Sequence, residues 1–206
     1  MTNWTLTPVR AVALFTLAAC NPAETPAPGE PAQDLVLSCT AFQDATAEAL
    51  AASFGAENLV EQIVPGPEGE DYTATIRYPN DAMRRLEIVW RDPAARVNPA
   101  TISVSGENSA WTGPNTLSLG QSLTDVEAAN GTAFTLYGFQ WDYGGTVADW
   151  RGGAFAPANG CLTRVRFTAT GQDTGAVGDS EFASDSAEVR RAAPVVSEFA
   201  LVYSAE

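Results

Sequence analysis

Period-two alternation runs through most of this chain, and it restricts the fold more than any other feature. Eight segments alternate apolar with polar residues: 58–64, 71–78, 85–91 and 100–105 in the first half, then 133–140, 146–151, 162–168 and 196–204 in the second. Tyr72, Ala74, Ile76 and Tyr78 fall on one side of the second segment, Thr73, Thr75 and Arg77 on the other. Leu86, Ile88 and Trp90 alternate with Arg85, Glu87 and Val89. Thr163, Val165 and Phe167 alternate with Leu162, Arg164 and Arg166. Successive side chains of a strand point to opposite faces, so these patterns predict half-buried antiparallel strands.

Two stretches carry the helical period instead. Ala47, Leu50, Ala51 and Phe54 fall at i, i+3, i+4 and i+7, between Asp44, which can cap a helix, and Gly55, which can end one. Ser122 with Asp125 three residues on reads as a capping box; Leu123, Val126 and Ala129 share a face, and Gly131 closes the segment. Gly55 and Gly131 are 76 residues apart, and Trp90 and Phe167 follow them by 35 and 36 residues. Each half therefore reads as one helix followed by four strands. The expectation is an α+β fold of two tandem units, each a helix on a four-stranded antiparallel sheet, at residues 34–106 and 116–206, with a linker at 107–115 that contains Trp111. Leu50, Phe54, Ile76, Leu86, Ile88, Trp90, Val126, Val165, Phe167 and Leu201 are the expected cores.

The first twenty residues have a different character. Arg10 is the only charge before position 20, and Ala11 to Ala19 is an apolar run too short to span a bilayer. A base, a short apolar core and small residues before a cut site make an export signal. Leu17-Ala18-Ala19-Cys20 resembles the lipobox of bacterial lipoproteins, in which the cysteine is acylated and becomes the new N-terminus. The resemblance implies a signal peptide at 1–19 and a lipid on Cys20. Residues 20–33, with Pro22, Pro26, Pro28 and Pro31, then form an extended tether. By resemblance to sorting in enteric bacteria, Asn21 after the cysteine favours the outer membrane. The expected location is the periplasmic face of a membrane in the bacterial envelope. In an exported chain the remaining pair, Cys39 and Cys161, predicts a disulfide.

The run Leu119-Gly120-Gln121-Ser122-Leu123-Thr124-Asp125-Val126, closing at Asn130-Gly131, resembles the opening motif of a helix-plus-sheet repeat. That repeat is found in the β-lactamase inhibitor protein and in the small lipoprotein of the outer-membrane β-barrel assembly machine. The run from Asn130-Gly131 through Trp141-Asp142-Tyr143-Gly144-Gly145 to Asp149-Trp150 resembles a family of uncharacterised bacterial lipoproteins. These resemblances imply a tandem-repeat fold and, by analogy alone, an inhibitor of an envelope or secreted enzyme; no contact residue transfers from the inhibitor.

The formal charge is −14, with no Lys and no His. Phosphate binding needs a basic surface, so nucleic acid is not an expected partner. Without His the commonest general base and nitrogen ligand are missing, and without Lys there is no Schiff base. No phosphate loop or zinc spacing occurs, so neither cofactor nor metal is expected. Carboxylates remain. Trp141, Asp142 and Tyr143, with Asp149 and Trp150, could bind a glycan by stacking and hydrogen bonding, or cleave one with paired carboxylates. A hairpin turning at Gly144-Gly145, with the Trp rings as packing, competes with that reading. Met83-Arg84-Arg85 and Arg190-Arg191 are basic spots that could grip a carboxylate or pair on the surface. The leading expectation is a non-catalytic, membrane-anchored lipoprotein that binds an envelope protein or a cell-wall component.

Overall fold

The computed structural model describes residues 35–158, 160–171 and 175–204; the expected signal peptide at 1–19, the expected tether at 20–33 and Cys20 lie outside them. Helix α1, Ala47–Phe54, is followed by strands β1 Leu59–Pro65, β2 Asp71–Arg77, β3 Leu86–Asp92 and β4 Val97–Ser105. Helix α2, Leu123–Asn130, then precedes β5 Thr135–Tyr137, β6 Val147–Asp149, β7 Cys161–Ala169, β8 Glu181–Ala183, helix α3 Ala187–Arg191 and β9 Pro194–Tyr203. Every alternating segment contains a strand. The cap of α1 is Thr46, whose hydroxyl accepts from Ala49 N at 3.0 Å, rather than Asp44. Ser122 caps α2 as its sequence indicates, and Gly131 leaves it in the left-handed conformation.

The strands do not assemble as two units, and the expected α+β tandem fold is wrong. The described chain is mostly β, with one six-stranded antiparallel sheet in the order β1-β2-β3-β4-β9-β7 and a second of three strands in the order β6-β5-β8. The C-terminal strand decides this. It inserts between the halves, pairing with β4 from Thr101↔Val202 to Ser105↔Glu198 and with β7 along its other edge. That register sets Phe199 opposite Val104 and Val165, and Leu201 opposite Ile102 and Thr163, so one apolar face runs unbroken across both halves. Strands β5 and β6 have three residues each and pair outside this sheet, with β8 completing theirs. Residues Asp34–Glu206 accordingly group as one unit.

All three helices and the small sheet contribute to one buried cluster that includes Leu50, Val126, Val189, Leu136, Ile88, Ile102, Phe167 and Leu201. Of the ten expected core residues, nine are buried and Phe54 is half-buried at the cluster's margin. Ile76 is buried on an unexpected side. It pairs with Glu87, while Thr75 pairs with Ile88 and Arg77 with Leu86. The core face of β2 therefore carries Thr75, whose hydroxyl accepts from Trp90 Nε1 at 2.7 Å, and Arg77, whose guanidinium lies 3.5 Å from the Phe54 ring centroid. Trp111 is buried and donates from Nε1 to the Arg84 carbonyl at 3.1 Å. Cys39 and Cys161 form a disulfide with Cα atoms 5.9 Å apart. Among the described residues no helix is long and apolar enough to cross a membrane.

Candidate functional site

The other face of the large sheet is mixed, apolar around Ile76 and Ala74 with two polar rows beside them. Glu87, Ser103 and Arg164 share a row across β3, β4 and β7, and Ser105, Glu198 and Arg166 form the next. Two loops rise over these rows. The β1–β2 hairpin turns through Gly66-Pro67-Glu68-Gly69, and the β5–β6 connection carries Trp141-Asp142-Tyr143. They meet above the sheet: Glu68 N donates to Asp142 Oδ2 at 3.2 Å, and the Tyr143 hydroxyl donates to Glu68 Oε1 at 3.4 Å. The arch so formed covers a groove of about 750 Å³, floored by β3, β4, β9 and β7.

Glycines hold the second loop in place. Gly145 has φ +75°, and a Cβ there would run into the Phe167 carbonyl. Its own carbonyl accepts from Phe167 N at 2.9 Å, which docks the loop base on the outer edge of β7. Gly144 N closes a turn onto the Trp141 carbonyl at 2.9 Å. The connection is thus a nine-residue loop, 138–146, and not a two-residue turn at Gly144-Gly145. Trp141 Nε1 donates to the Gly138 carbonyl at 2.9 Å, and its ring meets Tyr143 edge-on at 5.3 Å. Both rings are half-buried and line the groove.

Asp149 and Trp150 lie apart from this groove. The Trp150 ring is buried between Phe134 and Phe155, each centroid 4.9 Å away, and its Nε1 donates to the Thr163 carbonyl at 2.8 Å. The exposed carboxylate of Asp149 accepts from Arg151 N at 2.8 Å within its own turn and sits 3.4 Å from Arg151 Nε. The five residues singled out by sequence therefore divide, with Trp141, Asp142 and Tyr143 on the groove and Asp149 and Trp150 away from it.

The groove contains charges that sequence reasoning misses. Arg164 pairs with Glu198 at 3.1 Å, and Arg85 stands 3.7 Å from Glu87. Arg166 donates from Nε to the Gly144 carbonyl at 3.0 Å. Burial pushes the Glu87 carboxyl above its ordinary range, and the Glu198 charge adds to the shift, while Arg85 and Arg164 oppose it. At the arch, desolvation and the Glu68 carboxylate raise the Tyr143 phenol; Tyr72 is raised first by its hydrogen bond to Glu70. The sequence signals for the floor are the outward placement of Glu87 on one strand and of Arg164 and Arg166 on another, which look like any solvated rows until strand order is known. The basic spots are ion-paired: Arg84 with Asp81 at 2.6 Å, and Arg190 with Glu127 at 2.7 Å.

A scan against protein-family models and searches of curated proteins and of solved structures returned no match.

Proposed function

We propose that this chain is a lipoprotein of the bacterial envelope, anchored through Cys20 on the periplasmic face of a membrane, the outer membrane being favoured. In this reading it binds an envelope protein or cell-wall component in the arched groove without chemistry of its own. The observation that carries the reading is the convergence of Trp141, Asp142 and Tyr143 with Glu68 over a charged sheet face. Half-buried aromatic faces beside convergent polar groups are the usual make-up of a ligand site.

The rival reading, glycan cleavage by Asp142 and Asp149, asks two carboxylates to flank one bond. Asp149 does not line the groove with Asp142, which weakens that pairing. The test is a crosslinking pull-down of the anchored protein from its own cells, with Trp141→Ala as the control. Loss of the captured partner with Trp141→Ala supports the groove, and unchanged capture refutes it. Hydrolysis of a cell-wall glycan that disappears with Asp142→Asn or Asp149→Asn would end the non-catalytic reading. Cys20→Ala should release the protein from the membrane; an unmodified N-terminus elsewhere would refute the anchor.

A further inference from the structure

We propose that the groove receives a short peptide carrying a free carboxylate and a free ammonium group, the carboxylate on Arg166 and the ammonium among Asp142, Glu68 and the Tyr143 ring. This rests on the groove being the binding site, and it adds the ligand's chemical class.

The two basic residues of the floor are in different states. Arg164 is neutralised by Glu198. Arg166 makes no ion pair among the described residues, though it is half-buried in the same groove. Its Nε is held by the Gly144 carbonyl at 3.0 Å, which fixes the plane of the guanidinium while using one of its five N–H donors. A planar fork already oriented, with its terminal nitrogens unspent, suits a carboxylate, which it can grip with two parallel hydrogen bonds.

The arch has the opposite character. Among the described residues neither Asp142 nor Glu68 has an ion-pair partner. Asp142 accepts the Glu68 amide through one oxygen, and Glu68 accepts the Tyr143 hydroxyl through one of its own. Two carboxylates beside the faces of Trp141 and Tyr143 suit an ammonium, which gains from both charge and ring. The two subsites line one groove, and Asp142 is two residues from Gly144, whose carbonyl holds Arg166. A neutral glycan would hydrogen-bond to these groups but neutralise neither charge.

The test is calorimetric titration of the full-length protein in detergent with four probes. These are a disaccharide bearing its cell-wall stem peptide, that fragment amidated at its carboxylates, that fragment acetylated at its amines, and the peptide-free disaccharide. A free tripeptide is run beside them to separate a wall-borne source from a free one. Each chemical block should weaken binding by roughly tenfold or more, the range of a lost charge-assisted hydrogen bond. Arg166→Gln should lose the same factor and become indifferent to amidation. Asp142→Asn, which keeps an acceptor for Glu68 N, should become indifferent to acetylation. If the intact protein binds the blocked fragments as well as the free one, or binds none of the peptides, the inference fails whatever the variants do. Binding of the bare disaccharide alone, abolished by Trp141→Ala, would overturn it and leave the groove standing. Fragment binding that Trp141→Ala does not change would remove the groove itself.

Discussion

Deleting strand β9 should unfold the whole described domain. The magnitude follows from what the strand buries. Val196, Phe199 and Leu201 are 2, 0 and 0% exposed. Burying a side chain of this size stabilises by roughly 1.5–3 kcal/mol, so the three account for about 5–9 kcal/mol. Removing the strand also uncovers Ile102 and Val104 on β4 and Val165 on β7, their direct partners across the ladders. Against a total stability of about 5–15 kcal/mol, that leaves no stable fold. The assay is urea unfolding followed by tryptophan fluorescence and far-ultraviolet circular dichroism, on the intact protein and on a chain ending at Ala193. Residues 34–106 expressed alone make the sharper comparison. Two independent units would leave that fragment with a cooperative transition. A sheet shared between the halves would leave it without one, since β4 loses β9 and Cys39 loses Cys161. A cooperative, native-like transition in the 34–106 fragment would refute the shared-sheet argument.

Replacing both Cys39 and Cys161 by Ala should lower stability by up to about 5 kcal/mol, because the bridge spans a sequence separation of 122 residues; urea midpoints with and without reductant measure it. Asn130→Ala should cost about 2–4 kcal/mol by the same assay, because it leaves the Phe155 amide without its partner and removes a hydrogen bond from each of the Thr132 and Trp150 carbonyls, the latter keeping only Gly153 N. Glu87→Gln should raise the urea midpoint at neutral pH. The folded carboxyl sits above its unfolded value, so its contribution is fully present below the unfolded value, near pH 4.3, and is lost as pH rises through the folded one. The advantage of the variant should therefore vanish below that pH, and an advantage that persisted there would refute the desolvation argument.

Local order was legible in the sequence because local order is what periodicity encodes. Leu86-Glu87-Ile88-Val89-Trp90 alternates, and β3 alternates in the structure. Ser122 caps α2, and Gly131 ends it. Strand partners are not encoded that way. The matched spacing from Gly55 to Trp90 and from Gly131 to Phe167 suggested two copies of one unit, yet nothing local in residues 194–203 says that they pair with residues 101–105 from the other half. Alternation also leaves the buried side of a strand open when both sides become covered. That is why Ile76, though buried, lies opposite Glu87 while Arg77 takes the core side. The small elements β8 and α3 went unread, although Ser186 before Glu188, with Arg190 and Arg191 in the last turn, carries the ordinary signs of a capped helix. For the site, the aromatic run 141–143 stood out by composition. Glu68, Arg164, Arg166 and Glu198 did not, because their convergence depends on strand order.

The shared sheet is what makes the groove. With β9 between β4 and β7, Glu87, Arg164, Glu198 and Arg166 come onto one floor, and the hairpin after β1 comes within reach of the loop before β6. The arch over that floor is held by two hydrogen bonds between exposed groups, Glu68 N to Asp142 and Tyr143 to Glu68. Each contributes about 1 kcal/mol net in water. Opening the arch therefore costs about 2 kcal/mol, which leaves a few per cent of molecules open, enough for a ligand to enter without unfolding anything. The floor does not share this looseness, since Arg166 is tied to Gly144 and the loop base to Phe167 through backbone groups on the β7 edge. If the groove is the binding site proposed above, its charged floor stays fixed while its roof moves. Weakening the roof with Tyr143→Phe should speed association and leave selectivity for the carboxylate unchanged, whereas weakening the floor with Arg166→Gln should lose that selectivity.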